Sequence, residues 1–227
     1  MNIIVIGGGA AGLMAAGTAA EQGANVTLFE TNEKVGRKLF ITGKGRCNVC
    51  NDCDAQEVLR NVPVNPRFLY SALGGFGPAD VMDFFENHGV ALKTERGNRV
   101  FPVSDRASDI IDALFLWVRR TGVSIVHASV SDLVMQDGRV TGVRAGKKTC
   151  LADRVIVATG GVSYPSTGST GDGYLFAKEN GLNVTRLSAS LVGLTMDEKW
   201  PMLLQGLSLK NVKLSAKAGK KLLFDEL

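Results

Sequence analysis

A glycine-rich segment near the start of the chain has the clearest potential for chemistry. It reads Gly7-Gly8-Gly9-Ala10-Ala11-Gly12 and contains the spacing G-x-G-x-x-G at Gly7, Gly9 and Gly12. In this spacing the first glycine permits a tight turn and the second lets the backbone approach a pyrophosphate. The third lets a helix pack closely on a strand. The segment therefore predicts a site for a nucleotide that carries phosphates.

A carboxylate follows at the distance that such a site requires. Glu30 lies 18 residues after Gly12 and directly follows the apolar run Val26–Phe29. A carboxylate at the end of a second strand can accept hydrogen bonds from a ribose diol. The alternative is a plain glycine turn with a solvated glutamate beyond it.

The elements that must position these residues are visible in the hydrophobic pattern. Ile3–Ile6 and Val26–Phe29 are short apolar runs typical of buried parallel strands, and Ala10–Gln22 is rich in helix formers. The first 30 residues therefore predict a βαβ unit. Val155–Ala158 predicts another buried strand, which ends in Thr159-Gly160-Gly161.

The rest of the chain continues the alternation of strands and helices and predicts an α/β class. Amphipathic helices are expected over Pro78–Asn87 and Ser108–Arg120, and a hairpin is expected around Gln136–Arg139. Residues 31–62 show little periodicity and are predicted to form a long functional loop. The pattern changes to short strand-like pieces near Ser188, which predicts a domain boundary there.

Three cysteines form the pattern Cys47-x-x-Cys50-x-x-Cys53, and Cys150 is the fourth cysteine of the chain. C-x₂-C-x₂-C is part of an iron–sulfur ligation pattern, so a cluster or a zinc site is one interpretation. Unligated thiols in a loop are the preferred one, and no metal site is predicted. A disulfide framework is not expected in a chain of this size that shows no signal peptide.

Composition narrows the function classes. The 227 residues are 45% hydrophobic and 21% charged, which is typical of a globular protein. No apolar run is long enough for a membrane helix, so no membrane partner is expected and the predicted location is the cytosol. The net charge of +4 permits an anionic ligand or partner but is smaller than that of many nucleic-acid-binding domains.

Several further segments resemble one family when they are taken together. They are Gly36-Arg37-Lys38, Thr42-Gly43-Lys44-Gly45-Arg46-Cys47-Asn48, Arg99-Val100-Phe101-Pro102, Val157-Ala158-Thr159-Gly160-Gly161 and the run from Tyr164 to Tyr174. With the glycine-rich segment, they make the chain similar along essentially its whole length to the BaiN/RdsA family of FAD-dependent oxidoreductases (YhiN-like flavoproteins).

The resemblance implies an α/β fold with a Rossmann-like FAD-binding domain of the glutathione-reductase type. This domain would span residues 1–187, and residues 188–227 would begin an inserted β-rich domain. In the family a C-terminal segment returns to complete the flavin site. The chain is therefore expected to be a fragment or a truncated product, with an incomplete FAD-binding domain.

The resemblance also implies which residues hold FAD. The glycine-rich segment and Glu30 would hold the ADP half, Arg37 and Lys38 would lie near the phosphates and ribose, and Val130 would offer backbone groups to the adenine. The complete set is Gly7, Gly9, Ala10, Ala11, Gly12, Glu30, Arg37, Lys38, Gly43, Arg46, Cys47, Asn48, Val130, Thr159, Gly160 and Gly161. Alternatives remain open: Arg37 and Lys38 as solvated charges, and Val130 as an ordinary strand residue.

The implied reaction transfers hydride from NAD(P)H, which binds transiently, through the flavin to an electron-poor C=C bond. The substrate would be a uracil of ribosomal RNA or a steroid-like enoyl group. Lysines between Lys210 and Lys221 slightly favour RNA. Cys47 and Tyr164 are the two candidates for the proton donor. The alternatives are a FAD-binding fragment without catalysis and an NAD-binding dehydrogenase.

Overall fold

Strands and helices alternate through most of the chain. The computed structural model describes residues 1–188, 195–209 and 212–226. Its strands are β1 (Asn2–Ile6), β2 (Asn25–Glu30), β3 (Leu92–Glu95), β4 (Arg99–Pro102), β5 (Ser124–His127), β6 (Val130–Gln136), β7 (Arg139–Ala145), β8 (Lys148–Leu151), β9 (Arg154–Val157), β10 (Leu214–Ala218) and β11 (Lys221–Glu226). Its α-helices are α1 (Ala10–Glu21), α2 (Arg37–Ile41), α3 (Ala55–Arg60), α4 (Tyr70–Gly75), α5 (Pro78–Asn87), α6 (Ala107–Arg120) and α7 (Asp172–Glu179).

A four-stranded parallel sheet, in the order β5-β2-β1-β9, lies at the centre of the larger of two units, Met1–Val184. Its strands are apolar on both faces because both faces are covered. Ile3 and Val5 pack in one core cluster, while Ile4 and Ile6 pack in another. Successive side chains of a strand point to opposite faces of the sheet, so this alternation shows that both faces are buried. The predicted α/β class with a βαβ start is confirmed.

Helices cover one face of the sheet and strands cover the other. The first core cluster joins α1 to α6 through Leu13, Leu114 and Trp117. The second joins the sheet to the antiparallel sheet β6-β7-β8, where Val143 is fully buried. The result is a layered unit in which the loops after β1, β2 and β9 meet at one edge.

The contact between α1 and α6 is close because of a glycine in α1. A Cβ atom on Gly17 would lie 2.4 Å from the Trp117 ring, so α6 approaches α1 at a position that a side chain would block. The Trp117 indole N–H donates to Glu21 Oε1 at 2.7 Å. This fit holds α6 closely against the C-terminal half of α1.

Two sequence-based expectations need correction. Residues 31–62 are not a continuous loop, because α2, α3 and a short 3₁₀ turn over Thr42–Gly45 interrupt them. The antiparallel pair β3–β4 was not predicted at all. The helices, the 3₁₀ turn and β3 are four to six residues long and mostly half-exposed or exposed, so they have too few buried positions to show a period. β4 is mostly buried, but its four residues are too few to show one.

The second unit begins at Thr185, close to the boundary predicted near Ser188. Among its described residues, β10 and β11 form an antiparallel hairpin. Lys213 Nζ pairs with Asp225 Oδ2 at 2.7 Å across it. Lys210, one of the lysines considered for RNA contact, lies outside the described residues.

Candidate functional site

The carboxyl ends of the parallel strands form a wall of a cleft of about 320 Å³. In open α/β sheets, ligands bind outside these ends. The cleft walls come from the β1–α1 turn, the β2–α2 segment, the start of β6 and the β9–α7 loop. Of the residues expected at the site, ten line it: Gly7, Gly9, Ala10, Ala11, Glu30, Arg37, Lys38, Val130, Thr159 and Gly160.

The glycine-rich turn packs directly on the end of β9. Gly7 has a φ of +103°, and a Cβ atom there would lie 2.5 Å from the Ala158 carbonyl oxygen. A Cβ atom on Gly12 would lie 1.7 Å from the Gly7 carbonyl oxygen. The protein's own packing therefore requires both glycines. The close approach of Gly7 to Ala158 also brings the two predicted glycine turns together.

Gly9 is different, because nothing in the protein requires a glycine there. Its φ of −80° and ψ of −172° suit any residue, and a Cβ atom would meet no atom of the described residues within 4 Å. Gly9 lines the cleft, so a side chain would enter the space next to the backbone. The bare backbone at this position suits a group that must lie directly against it.

The N-terminus of α1 opens onto the cleft at Ala10 and Ala11, both of which are exposed. No side chain caps the helix, and its first turn holds no acidic residue. The first N–H groups of a helix have no partner within it and carry a partial positive charge. Such an end can bind an anion.

Glu30 is buried, with 7% of its surface exposed, and its carboxylate faces the same cleft. Oε2 accepts from the Gly8 N–H at 2.7 Å. Oε1 accepts from the Asn32 N–H at 2.7 Å and from Asn32 Nδ2 at 2.6 Å. These donors hold the carboxylate in one orientation at the end of β2.

Two cations at the start of α2 add positive charge. Arg37 Nη1 donates to Asn32 Oδ1 at 2.6 Å, and Lys38 Nζ donates to Ser169 Oγ at 2.6 Å. Within the described parts of the chain, neither side chain forms an ion pair with a carboxylate. Both line the cleft, so their charge is available to an anionic ligand.

Six of the expected residues are not on the cleft lining. Gly12 and Gly161 are next to lining residues in the chain. Gly43, Arg46, Cys47 and Asn48 belong to a loop whose own start, Thr42, does line the cleft. The Asn48 amide donates to the Val100 and Cys50 carbonyl oxygens, at 3.2 and 3.0 Å, when its nitrogen faces them.

Arg46 is engaged away from the cleft. Its guanidinium donates to Glu95 at 2.8 and 3.2 Å and to Asp105 at 3.1 Å, and it lies 4.0 Å from the centre of the Phe101 ring. The hydrogen bond from Arg46 lowers the pKa of Glu95. The arginine thus ties its loop to the β3–β4 hairpin.

The cysteines do not assemble into a ligand set. In the described ranges, no group of three or more potential metal-ligating side chains is close enough to hold an ion. Cys47 lies in the core cluster with α1 and α6, whereas Cys150 belongs to β8 and packs against the second cluster. Burial raises the pKa of the Cys47 thiol, and it raises that of Cys50 to about 11.

The loop between β9 and α7 forms the far wall. Thr159 Oγ1 accepts from the Gly173 N–H at 3.1 Å, which ties the end of β9 to the start of α7. Tyr164 is mostly exposed, has a φ of +52° and is not on the lining.

Sequence reasoning did not single out Asn32, and it quoted Thr42, Thr167, Ser169 and Asp172 only within motifs of the resemblance, not as cofactor-binding residues. Asn32 had a local signal, since it lies two residues after Glu30. Ser169 had none, because its contact with Lys38 joins positions 131 residues apart.

In the parts of the chain that the structure describes, no helix combines the length and apolar character needed to cross a bilayer.

Two solved structures share the fold. Sdh1 of Mycobacterium smegmatis in complex with UQ1 superposes with a TM-score of 0.60 and 21% identity, over 79% of this chain and 38% of that one. L-proline dehydrogenase from P. horikoshii superposes with a TM-score of 0.54 and 14% identity, over 81% of this chain and 56% of that one.

Curated relatives match along the sequence. The 3-dehydro-bile acid delta(4,6)-reductase of Clostridium scindens is 32% identical over 229 residues, which cover 100% of this chain and 55% of the relative. A ribosomal RNA dihydrouridine synthase of Escherichia coli is 33% identical over 195 residues, covering 86% and 48%. The chain thus spans about half the length of these relatives.

A family model, the HI0933-like protein Rossmann domain, matches residues 1–220. Together with the structural matches, it confirms the predicted Rossmann-type fold. Since the model covers nearly the whole chain and the relatives align along most of it, the protein belongs to the HI0933-like Rossmann family, in agreement with the resemblance seen in its motifs.

Proposed function

We propose that this chain is the FAD-binding part of an oxidoreductase that oxidises NAD(P)H and reduces an activated C=C bond. One observation carries the proposal: the bare backbone at Gly9 lies next to the open N-terminus of α1, in a cleft that also holds the Glu30 carboxylate. A pyrophosphate needs the first two features and a ribose needs the third.

The residues present fit FAD. The N–H groups around Gly9, Ala10 and Ala11 would hold the pyrophosphate, with Arg37 and Lys38 supplying charge. Glu30 would accept from the ribose, and Val130 would offer backbone groups to the adenine. Thr159, Gly160 and Gly161 would border the cofactor, and Gly12 would keep α1 close to the turn.

The Thr42–Asn48 loop lies beside the cleft, where it would support the flavin side of the site. Thr42 lines the cleft, and the contacts of Arg46 and Asn48 hold the rest of the loop beside it. Gly43 and Cys47 would then act as support for the flavin side of the site. A Cβ atom on Gly43 would lie 2.9 Å from the Asn48 backbone nitrogen, so this loop is closely packed.

The flavin supplies hydride transfer when it is bound. The chain's residues bind and orient it, and a proton donor completes addition across the C=C bond. Cys47 and Tyr164 remain predictions for that donor. Burial raises the pKa of the Cys47 thiol, which lies in the core cluster beside the cleft lining, while Tyr164 is mostly exposed.

The names of the two relatives support the substrate classes: a steroid-like enoyl group or a uracil of ribosomal RNA. We place the FAD-binding domain at residues 1–187, with residues 188–227 as the start of a β-rich insertion, in a protein of the cytosol. NADH or NADPH would act as a transient reductant.

The test is an absorption spectrum of the purified chain, followed by mass analysis of the released cofactor. A yellow protein that releases FAD on denaturation supports the proposal, whereas a chain that binds NAD and no flavin refutes it. Anaerobic addition of NADH or NADPH then separates the enzyme from a silent FAD-binding fragment. Bleaching of the flavin bands is expected for the enzyme.

A further inference from the structure

Asn32 lines the cleft, and every one of its polar atoms, in the backbone and in the side chain, has a partner. Its backbone N–H and Nδ2 both donate to Glu30 Oε1, at 2.7 and 2.6 Å. Arg37 Nη1 donates to its Oδ1 at 2.6 Å. Its carbonyl oxygen lies 2.8 Å from His127 Nδ1. Asn32 therefore joins the end of β2 to α2 and to the end of β5.

Asn32 also reaches the opposite wall of the cleft. Its Nδ2 lies 3.3 Å from the Thr167 carbonyl oxygen. A Cβ atom on Gly168 would lie 2.8 Å from the same nitrogen, and Gly168 has a φ of +98°. The backbone of the β9–α7 loop thus approaches Asn32 at a position that only glycine permits.

These contacts leave the Glu30 carboxylate with one free hydrogen-bond acceptor site. An ionised carboxylate has about four acceptor sites, two on each oxygen. Asn32 fills two on Oε1 and the Gly8 N–H fills one on Oε2. The remaining acceptor site is on Oε2, the oxygen beside the glycine-rich turn.

The geometry points to Asn32 as a positioning residue for the adenosine half of the cofactor. It orients the Glu30 carboxylate so that Oε2 is left for a ribose hydroxyl, and it holds the Arg37 guanidinium beside the same cleft. This inference rests on the proposed function, because it concerns how the chain selects a ribonucleotide at that site.

The test uses ADP and 2′-deoxy-ADP to compete with FAD for the whole chain. The release of FAD is monitored by flavin fluorescence. The native chain is expected to prefer ADP by 5-fold or more, because the deoxy compound lacks the hydroxyl that donates to Glu30. In Asn32→Ala, FAD affinity is expected to fall about 10-fold and the preference for ADP to shrink below 2-fold. Loss of packing alone would weaken both competitors equally and leave their ratio unchanged.

Asn25→Ala is the matched control. Asn25 begins the strand that Asn32 follows, and among the described residues its side chain has a single hydrogen bond, to Asn2 Oδ1 at 3.0 Å. The native FAD affinity and the native preference for ADP are expected in this variant. Asn32→Asp keeps the shape of the side chain but replaces the Nδ2 donor with a carboxylate oxygen that repels Glu30. The preference for ADP is measured in this variant if Asn32→Ala does not fold.

Two results would overturn the inference. One is a native chain that binds FAD but does not distinguish ADP from 2′-deoxy-ADP, which requires no variant. The other is an Asn32 variant that keeps the native preference. A native chain that binds no FAD refutes the proposed function instead, so the two failures are distinguishable.

Discussion

Replacing Gly9 by alanine tests the proposed site with little disturbance of the fold. The backbone at Gly9 already has angles that alanine adopts, and the added methyl group would meet no protein atom within 4 Å. The methyl group would instead occupy the space in front of the α1 N-terminus. A ligand that lies against this backbone must move away or bind more weakly.

The expected magnitudes separate binding from stability. At a helix N-cap, alanine is less favourable than glycine by about 0.5–1.5 kcal/mol. Replacing glycine also lowers the entropy of the unfolded chain, which raises the free energy of unfolding by about 0.4–1 kcal/mol. The free energy of unfolding should therefore change by less than about 1 kcal/mol. Forcing an extra methyl group into a packed contact costs about 1–3 kcal/mol, which is roughly a 5- to 150-fold loss of FAD affinity.

The assay combines FAD titration with urea unfolding of the same preparations. Gly74→Ala is the matched control, because a Cβ atom on Gly74 also meets nothing within 4 Å and Gly74 lies in α4, away from the cleft lining. The control should bind FAD as the native chain does. If Gly9→Ala binds FAD within 2-fold of native, no ligand lies against Gly9 and the argument for the pyrophosphate site fails.

Three further predictions concern stability. Gly17→Ala should lower the free energy of unfolding by about 1–2 kcal/mol in urea titrations, because overpacking against Trp117 costs about 1–3 kcal/mol and helix propensity returns up to about 1. The hydrogen bond from Arg46 lowers the pKa of Glu95 below its ordinary value of 4.5. The ionised Glu95 therefore stabilises the fold fully above pH 4.5, and this stabilisation is lost as the pH falls through the lowered pKa. Urea unfolding should show that the free energy of unfolding decreases less between pH 7 and pH 3.5 in Glu95→Gln than in the native chain. Burial raises the pKa of Cys50 from 9.0 to about 11, so native stability should decrease as the pH rises through that window, and Cys50→Ala should reduce this decrease between pH 8.5 and 10.5.

The sequence was sufficient for the first βαβ unit and for the part of the site that it carries. Gly7 and Gly9 lie between β1 and α1 and Gly12 lies in the first turn of α1, as their spacing indicates, and Glu30 ends β2. These features depend on residues within 30 positions of one another. Strand and helix periods determine which way such residues face, so a local pattern contains the information.

The tertiary structure alone decided the other wall of the cleft and the partners of its side chains. Ser169 meets Lys38, and Thr167 meets Asn32, only because β9 pairs with β1 and returns a distant loop to the edge of the sheet. Arg46 stands in a motif that indicates the cofactor, yet folding of the β3–β4 hairpin gives it carboxylate partners elsewhere. Contacts between segments far apart in the chain have no period or spacing, because they depend on how whole elements pack.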